Sequence, residues 1–400
     1  MIATDNATTT RQDMSRSAEG LPTKISLLLA LTYLASALLL PFMLSGKELP
    51  SMIAACISCA LTVAISFASA KKPSRAFFFA ILVCFIGYFV GSPMLPALLF
   101  GLTTAIASTS ALLCSANKSS RILLICAAVI AYPIAYIVTL DPIASLFAIS
   151  LFIPSLLSAV STRKKAGATT TVALTGAAIV LVAVLILLYR MQVLFGEISA
   201  ASLTMAMDSF VNFFVYYVKK AMVEVYATEI TETVQREIIA TAESCVNLAI
   251  GTVSAAALIA AYFCHSTGRK IFNAYGIDIY LTPEMTRITV SVPAAIIFVV
   301  SYVLSFATSA AGSVSIAAVV GNNVCLILMP CLLLKGLEAL KALPFKLGFF
   351  GLLIAAGLIA FMISVAASLP MLLALIGAFF VLIVSVDVWA KGFYGKGEGK

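Results

Sequence analysis

The chain has 400 residues, 62% of them hydrophobic and only 10% charged, with a formal net charge of +8. A soluble surface needs more charge than this, so the composition excludes an ordinary aqueous domain. The basic residues come in twos and threes between apolar runs, which also excludes a nucleic-acid-binding domain.

Residues 1–24 are rich in Thr, Ser, Asp and Arg and lack an early apolar core. They predict a disordered cytoplasmic tail rather than a cleaved signal peptide. Apolar runs follow near 25–44, 51–69, 76–91, 94–114, 122–139 and 143–161. A second group lies near 168–188, 245–264, 288–308, 314–334, 346–366 and 368–388, before a cytoplasmic tail at 389–400. The expected fold is all-α, a polytopic transmembrane helix bundle of about 12 spans, or about 10 if two adjacent spans are dropped. It divides into a first six-helix group over 25–161 and a second group over 162–388. The runs within 76–114 and within 346–388 are separated by little more than Ser92-Pro93 and Leu369-Pro370. They read as full hairpins or as re-entrant elements.

The loops give an orientation. With the N-terminus in the cytoplasm, the inner gaps carry Lys71, Lys72 and Arg75, then Lys118 and Arg121, then Arg163, Lys164 and Lys165. They continue with Arg269, Lys270 and Arg287, then Lys335, Lys341 and Lys346. Of 25 Lys and Arg in all, only Lys47, Arg190, Lys219, Lys220 and Arg236 fall outside. Acidic residues divide almost evenly, so the bias has the form of the positive-inside rule. It implies a multi-pass membrane protein with both termini in the cytoplasm.

Residues 189–244 are the one sizeable segment outside the spans, on the extracytoplasmic side. Leu203, Met207, Phe210, Phe214, Val218 and Met222 recur at threes and fours, the period of an amphipathic helix. Ile230, Val234, Ile238 and Ala242 repeat the pattern. The segment reads as a helical cap, a lid or a docking surface.

The strongest local pattern lies around the tenth span. Ser313, Ala317 and Gly321 fall four apart, a stripe of small residues that admits a neighbouring helix. Asn322 and Asn323 follow, and an amide in hydrocarbon must find partners. Two readings stay open for the pair: an interhelical hydrogen bond, or substrate-binding positions. Pro96, Pro133, Pro154, Pro293 and Pro330 fall within spans and read as kinks or helix breaks.

Catalytic motifs are absent. There is no phosphate-binding Gly-rich loop with Lys, no G-x-S-x-G and no H-E-x-x-H, and His265 is the only histidine. No catalytic residue, cofactor or metal site is expected, and the chain reads as a non-enzyme. The nine cysteines lie mostly in apolar runs and read as buried free thiols.

The layout resembles the YybS-like family of bacterial integral membrane proteins. The residues that carry the resemblance are Ile153-Pro154-Ser155 leading to Arg163-Lys164-Lys165, the outer amphipathic segment, and Asn322-Asn323 in a helix ending Lys335-Gly336-Leu337-Glu338. Members of that family are similar in fold to the substrate-binding S components of energy-coupling factor transporters. The resemblance implies small-solute transport, or the substrate-binding membrane part of a transporter. Its partners would be the lipid bilayer, other membrane subunits and a separate ATPase, and no nucleic acid. The alternative function is a structural or assembly protein that organises a membrane complex.

Overall fold

The computed structural model describes residues 21–44, 57, 94–115, 117–139, 146, 150–224, 231–274, 287–310, 316–342 and 369–394. They form α1 (Thr23–Leu44), α2 (Met94–Cys114), α3 (Lys118–Thr139), α4 (Phe152–Arg163), α5 (Ala168–Phe195) and α6 (Ala200–Glu224). These are followed by α7 (Glu232–Asn247), α8 (Ala249–Ala274), α9 (Val292–Ala310), α10 (Ile316–Ala342) and α11 (Leu369–Tyr394). No strand occurs among the described residues.

The all-α class stands, but the expectation of about 12 spans, or 10, does not. Among the described residues only four helices are long and apolar enough to cross a membrane: α3, α5, α8 and α10. The apolar stretches Thr23–Leu39, Leu102–Cys114, Val292–Thr308 and Leu369–Ser385 are shorter. A hydropathy window registers apolar residues wherever the helix begins or ends. The run near 143–161 shows the consequence, because α4 has only 12 residues. The expected spans near 51–69, 76–91 and 346–366 lie outside the described residues.

Helix starts and stops account for the other shifts. Pro96, Pro154, Pro293 and Pro370 all sit in first turns, where a missing N–H leaves no helical bond unmade. Pro133 and Pro330 lie well inside helices, in α3 and α10. α5 runs past residue 188 to Phe195 and ends at Gly196, whose φ of 76° glycine adopts without a Cβ penalty. Ser199 and Ser202 then start α6 reciprocally: the Ser202 N–H donates to Ser199 Oγ at 3.1 Å and the Ser199 N–H to Ser202 Oγ at 2.9 Å.

The chain divides into two compact units. Unit 1 comprises Met1–Arg190 and Ala256–Arg287. Unit 2 comprises Met191–Ala255 and Ile288–Lys400.

In unit 1, α2 is the central helix, and every residue from Thr103 to Leu112 is buried. A helix enclosed on all sides is expected to be apolar all round. This one carries Thr103, Thr104, Ser108, Thr109 and Ser110. Part of the polarity is absorbed locally, as Thr109 Oγ1 donates to the Ala105 carbonyl at 2.8 Å. Part ties helices together. Ser110 Oγ donates to Ser158 Oγ of α4 at 3.1 Å, and Cys264 Sγ of α8 donates to the Thr103 carbonyl at 3.4 Å. Tyr33 of α1 meets Phe152 of α4 edge-on, ring centres 5.9 Å apart. On α3 the polarity is inverted outward: Ile125, Val129 and Ile137 are 58%, 67% and 70% exposed. Lipid, not water, suits such a face.

Unit 2 has an apolar core from α9, α10 and α11, including Phe298, Cys325, Leu332, Ala374, Leu375 and Ala378. α10 and α11 cross at Gly336 and Gly377. A Cβ at Gly336 would overlap the Leu373 carbonyl, and one at Gly377 the Leu332 carbonyl. Only glycine permits this approach. α6 and α7 pair with each other, with Ile238 and Ala242 buried.

Candidate functional site

The site built around Asn322 and Asn323 begins at an interruption in a neighbouring rod. α7 ends at Asn247 and α8 starts at Ala249, so Leu248 alone breaks the helical run. The Leu248 N–H still donates to the Ser244 carbonyl at 3.0 Å, and the Thr252 N–H to the Leu248 carbonyl at 2.9 Å. An unbroken helix would join the Gly251 N–H to the Asn247 carbonyl four residues back. Here Asn323 of α10 takes both partners. Its Oδ1 accepts from the Gly251 N–H at 2.6 Å, and its Nδ2 donates to the Asn247 carbonyl at 2.8 Å.

A carboxamide has the donor and acceptor of a peptide group, so it can stand in for the missing rung. The Asn323 Nδ2 also donates to the Val319 carbonyl at 2.8 Å, one turn back on its own helix. Its two N–H donors and one acceptor lone pair are therefore committed to protein. Gly251 makes the insertion possible, because a Cβ there would lie 2.9 Å from both Asn323 Cα and Oδ1.

Asn322 points to another neighbour. Ser305 Oγ of α9 donates to Asn322 Oδ1 in a short hydrogen bond. Gly321 is buried against the same helix, where a Cβ would lie 2.9 Å from the Ser301 carbonyl oxygen. Ala317 is exposed, and Ser313 lies outside the described residues. Of the small-residue stripe, Gly321 is thus the member at the α9 contact.

A second polar feature lies in unit 1 and escaped the sequence reading. The hydroxyls of Ser36, Ser108, Thr162, Thr171 and Thr175 are buried without a hydrogen-bond partner among the described residues. Each of these residues is 1% exposed. They belong to α1, α2, α4 and α5. A buried hydroxyl left unpaired costs about 1–3 kcal/mol, so five in one unit call for a reason. The signal in the sequence was the run Thr103-Thr104-Ala105-Ile106-Ala107-Ser108-Thr109-Ser110, dense in hydroxyls within a hydrophobic stretch.

Other candidate chemistry is sparse. Among the described residues no group of three His, Cys, Asp or Glu has the spacing to hold a metal ion. Cys114, Cys264 and Cys325 are buried free thiols, Cys331 is half-buried, and Cys126 and Cys245 are exposed. His265, placed at a span end by hydropathy, is buried within α8.

No protein family, curated protein or solved structure matches the chain. What the fold establishes is an all-helical protein with several apolar helices of the kind that cross membranes.

Proposed function

We propose that this is a multi-pass protein of the bacterial cytoplasmic membrane, both termini in the cytoplasm, that carries a small solute. It acts as a transporter or as the substrate-binding membrane component of one, served by a separate ATPase. The observation that carries the reading is the set of unit 1 hydroxyls with no hydrogen-bond partner among the described residues, each a donor and acceptor for a polar guest. No acidic residue occurs in the described part of unit 1, and its basic residues lie at helix ends or near them. The hydroxyl set therefore suits an uncharged polar solute better than an ion. The resemblance to the YybS-like family and to energy-coupling factor S components supports the same reading. In unit 2, Asn322 is the better candidate ligand of the pair, since the Ser305 bond uses only its amide oxygen.

A strain carrying Ser108→Ala with Thr175→Val tests this. The variant should accumulate normally in the membrane yet reproduce the metabolite profile of a deletion strain. Normal accumulation with a wild-type profile would remove the hydroxyls as solute ligands.

A second reading, an assembly protein that organises a membrane complex, is favoured by α6. Leu203, Met205, Met207, Phe210, Phe213 and Tyr216 are all exposed along it. Under this reading Phe210→Glu would disrupt a complex recovered by gentle solubilisation, and the metabolite profile would follow the complex rather than the hydroxyls.

A further inference from the structure

We propose that the basic end of unit 1 is a binding site for the phosphate headgroup of an anionic lipid, held by Lys118, Arg121, Arg163, Lys164 and Lys165. The inference rests on the chain being a membrane protein and is independent of what, if anything, it transports.

Ser115, just past the end of α2, gathers this site from separate stretches of chain. The Leu21 N–H, ahead of α1, donates to Ser115 Oγ at 3.1 Å, and the Asn117 N–H, ahead of α3, donates to it at 3.3 Å. Ser26 and Ser120 share a hydrogen bond of 2.7 Å between their hydroxyls. Arg121 of α3 and Arg163 of α4 each donate from Nη2 to the Ser115 carbonyl at 3.4 Å, and Arg163 Nη2 also donates to the Leu113 carbonyl. Cations at a helix C-terminus are favourable, so these bonds fix both guanidinium groups in place. An arginine has five N–H donors in a planar fork, and only one nitrogen of each is used by these bonds.

Among the described residues no acidic side chain offsets this charge. Lys118, Arg121, Arg163, Lys164 and Lys165 are all exposed, and no acidic residue occurs in the described part of unit 1. The two ion pairs among the described residues, Arg236–Glu232 and Lys335–Glu338, both lie in unit 2.

The backbone supplies an independent observation. Lys165 has a φ of 56°, the left-handed region. It is the stop residue of α4: its N–H donates to the Thr162 carbonyl and the Ala166 N–H to the Ser161 carbonyl, both at 3.0 Å. Glycine is the usual residue at this position. At the end of α5 the chain does use glycine, Gly196 at φ 76°. The positive-inside rule counts charges in a loop and is indifferent to their exact place. It would be met as well by a lysine at Ala166 or Gly167 with no left-handed side chain. A strained lysine beside Lys164 and Arg163 is better explained by a ligand that uses it. Phosphate fits the arginine forks, and the membrane surface supplies it beside the ends of these helices.

The test uses the full chain purified in neutral micelles, titrated with phosphatidylglycerol, with phosphatidylcholine and with inorganic phosphate. Phosphatidylglycerol should bind saturably and raise the melting temperature, and the other two should not. Lys165→Gly should raise the melting temperature in phosphatidylcholine, because it relieves the left-handed side chain, and should weaken phosphatidylglycerol binding about fivefold, the effect of one basic residue at an anionic surface. Lys118→Gln with Lys164→Gln, which leaves the Ser115 bonds intact, should weaken it further without lowering the melting temperature in phosphatidylcholine. Equal phosphatidylglycerol binding by wild type and both variants would reduce the basic end to a topology signal. Saturable binding of inorganic phosphate, lost in the same variants, would assign the site to a soluble anion and overturn the lipid reading.

Discussion

Unit 1 and unit 2 bring apolar helices together by different chemistry. Among the described residues nearly all the buried polar ones belong to unit 1; Ser202 and Ser305 are the exceptions. There the central helix α2 is enclosed on every side, and small hydroxyl side chains fill the contacts. Unit 2 instead relies on glycine at the α10–α11 crossing and on two asparagine side chains reaching from α10 to its neighbours. Hydroxyls can turn back on their own helix, so a crowded hydroxyl core tolerates rearrangement. A glycine crossing and an inserted amide have one geometry each. Unit 1 is accordingly the more adaptable packing, and unit 2 the more fixed one.

The contrast can be broken from the rigid side first. Gly377→Leu places a side chain into the Leu332 carbonyl and should cost about 3 kcal/mol or abolish accumulation, since overpacking typically costs 1–3 kcal/mol even without a backbone overlap. Thermal unfolding in detergent measures it, and a fall of less than a few degrees would show that the α10–α11 crossing can open. Asn323→Ala should cost about 1–2 kcal/mol, the upper range of hydrogen bonds between membrane helices. Hydrogen exchange at the Gly251 amide gives a sharper readout: it should accelerate in the variant while Thr252, bonded to Leu248, changes less. Equal protection of Gly251 in both proteins would mean that the helix break heals by itself.

From the soft side the sign reverses. Thr175→Val keeps the shape of a buried side chain and removes a hydroxyl without a partner, so it should stabilise the solute-free protein by about 1 kcal/mol. Destabilisation of that size would show that the hydroxyl is engaged. The smallest effect is expected at Ala317→Leu, within about 0.5 kcal/mol, because that residue is exposed although it belongs to the same small-residue stripe as Gly321. A large loss there would move the helix contact along α10.

The reach of the sequence is clearest at particular residues. Periodicity located α6 and α7, because a helix with one polar and one apolar face announces itself. The need of an intramembrane amide for partners singled out Asn322 and Asn323, and the interhelical hydrogen bond was one of the two roles considered. Hydropathy found the apolar runs but not the helices within them, as Pro154 at the start of the 12-residue α4 shows.

What the sequence determined by itself was therefore the class of the molecule: all-helical and rich in apolar segments. Those follow from composition and from the cost of exposing backbone or charge to hydrocarbon, which act on each segment alone. Only the tertiary structure decided which apolar helix is enclosed and which faces outward. Lipid and protein interior are equally apolar, so a hydrophobic side chain carries no mark of which it will meet. The same holds for the rung at Gly251. Its partner, Asn323, lies 72 residues further along the chain, and no local pattern joins a helix break to the one side chain that fills it.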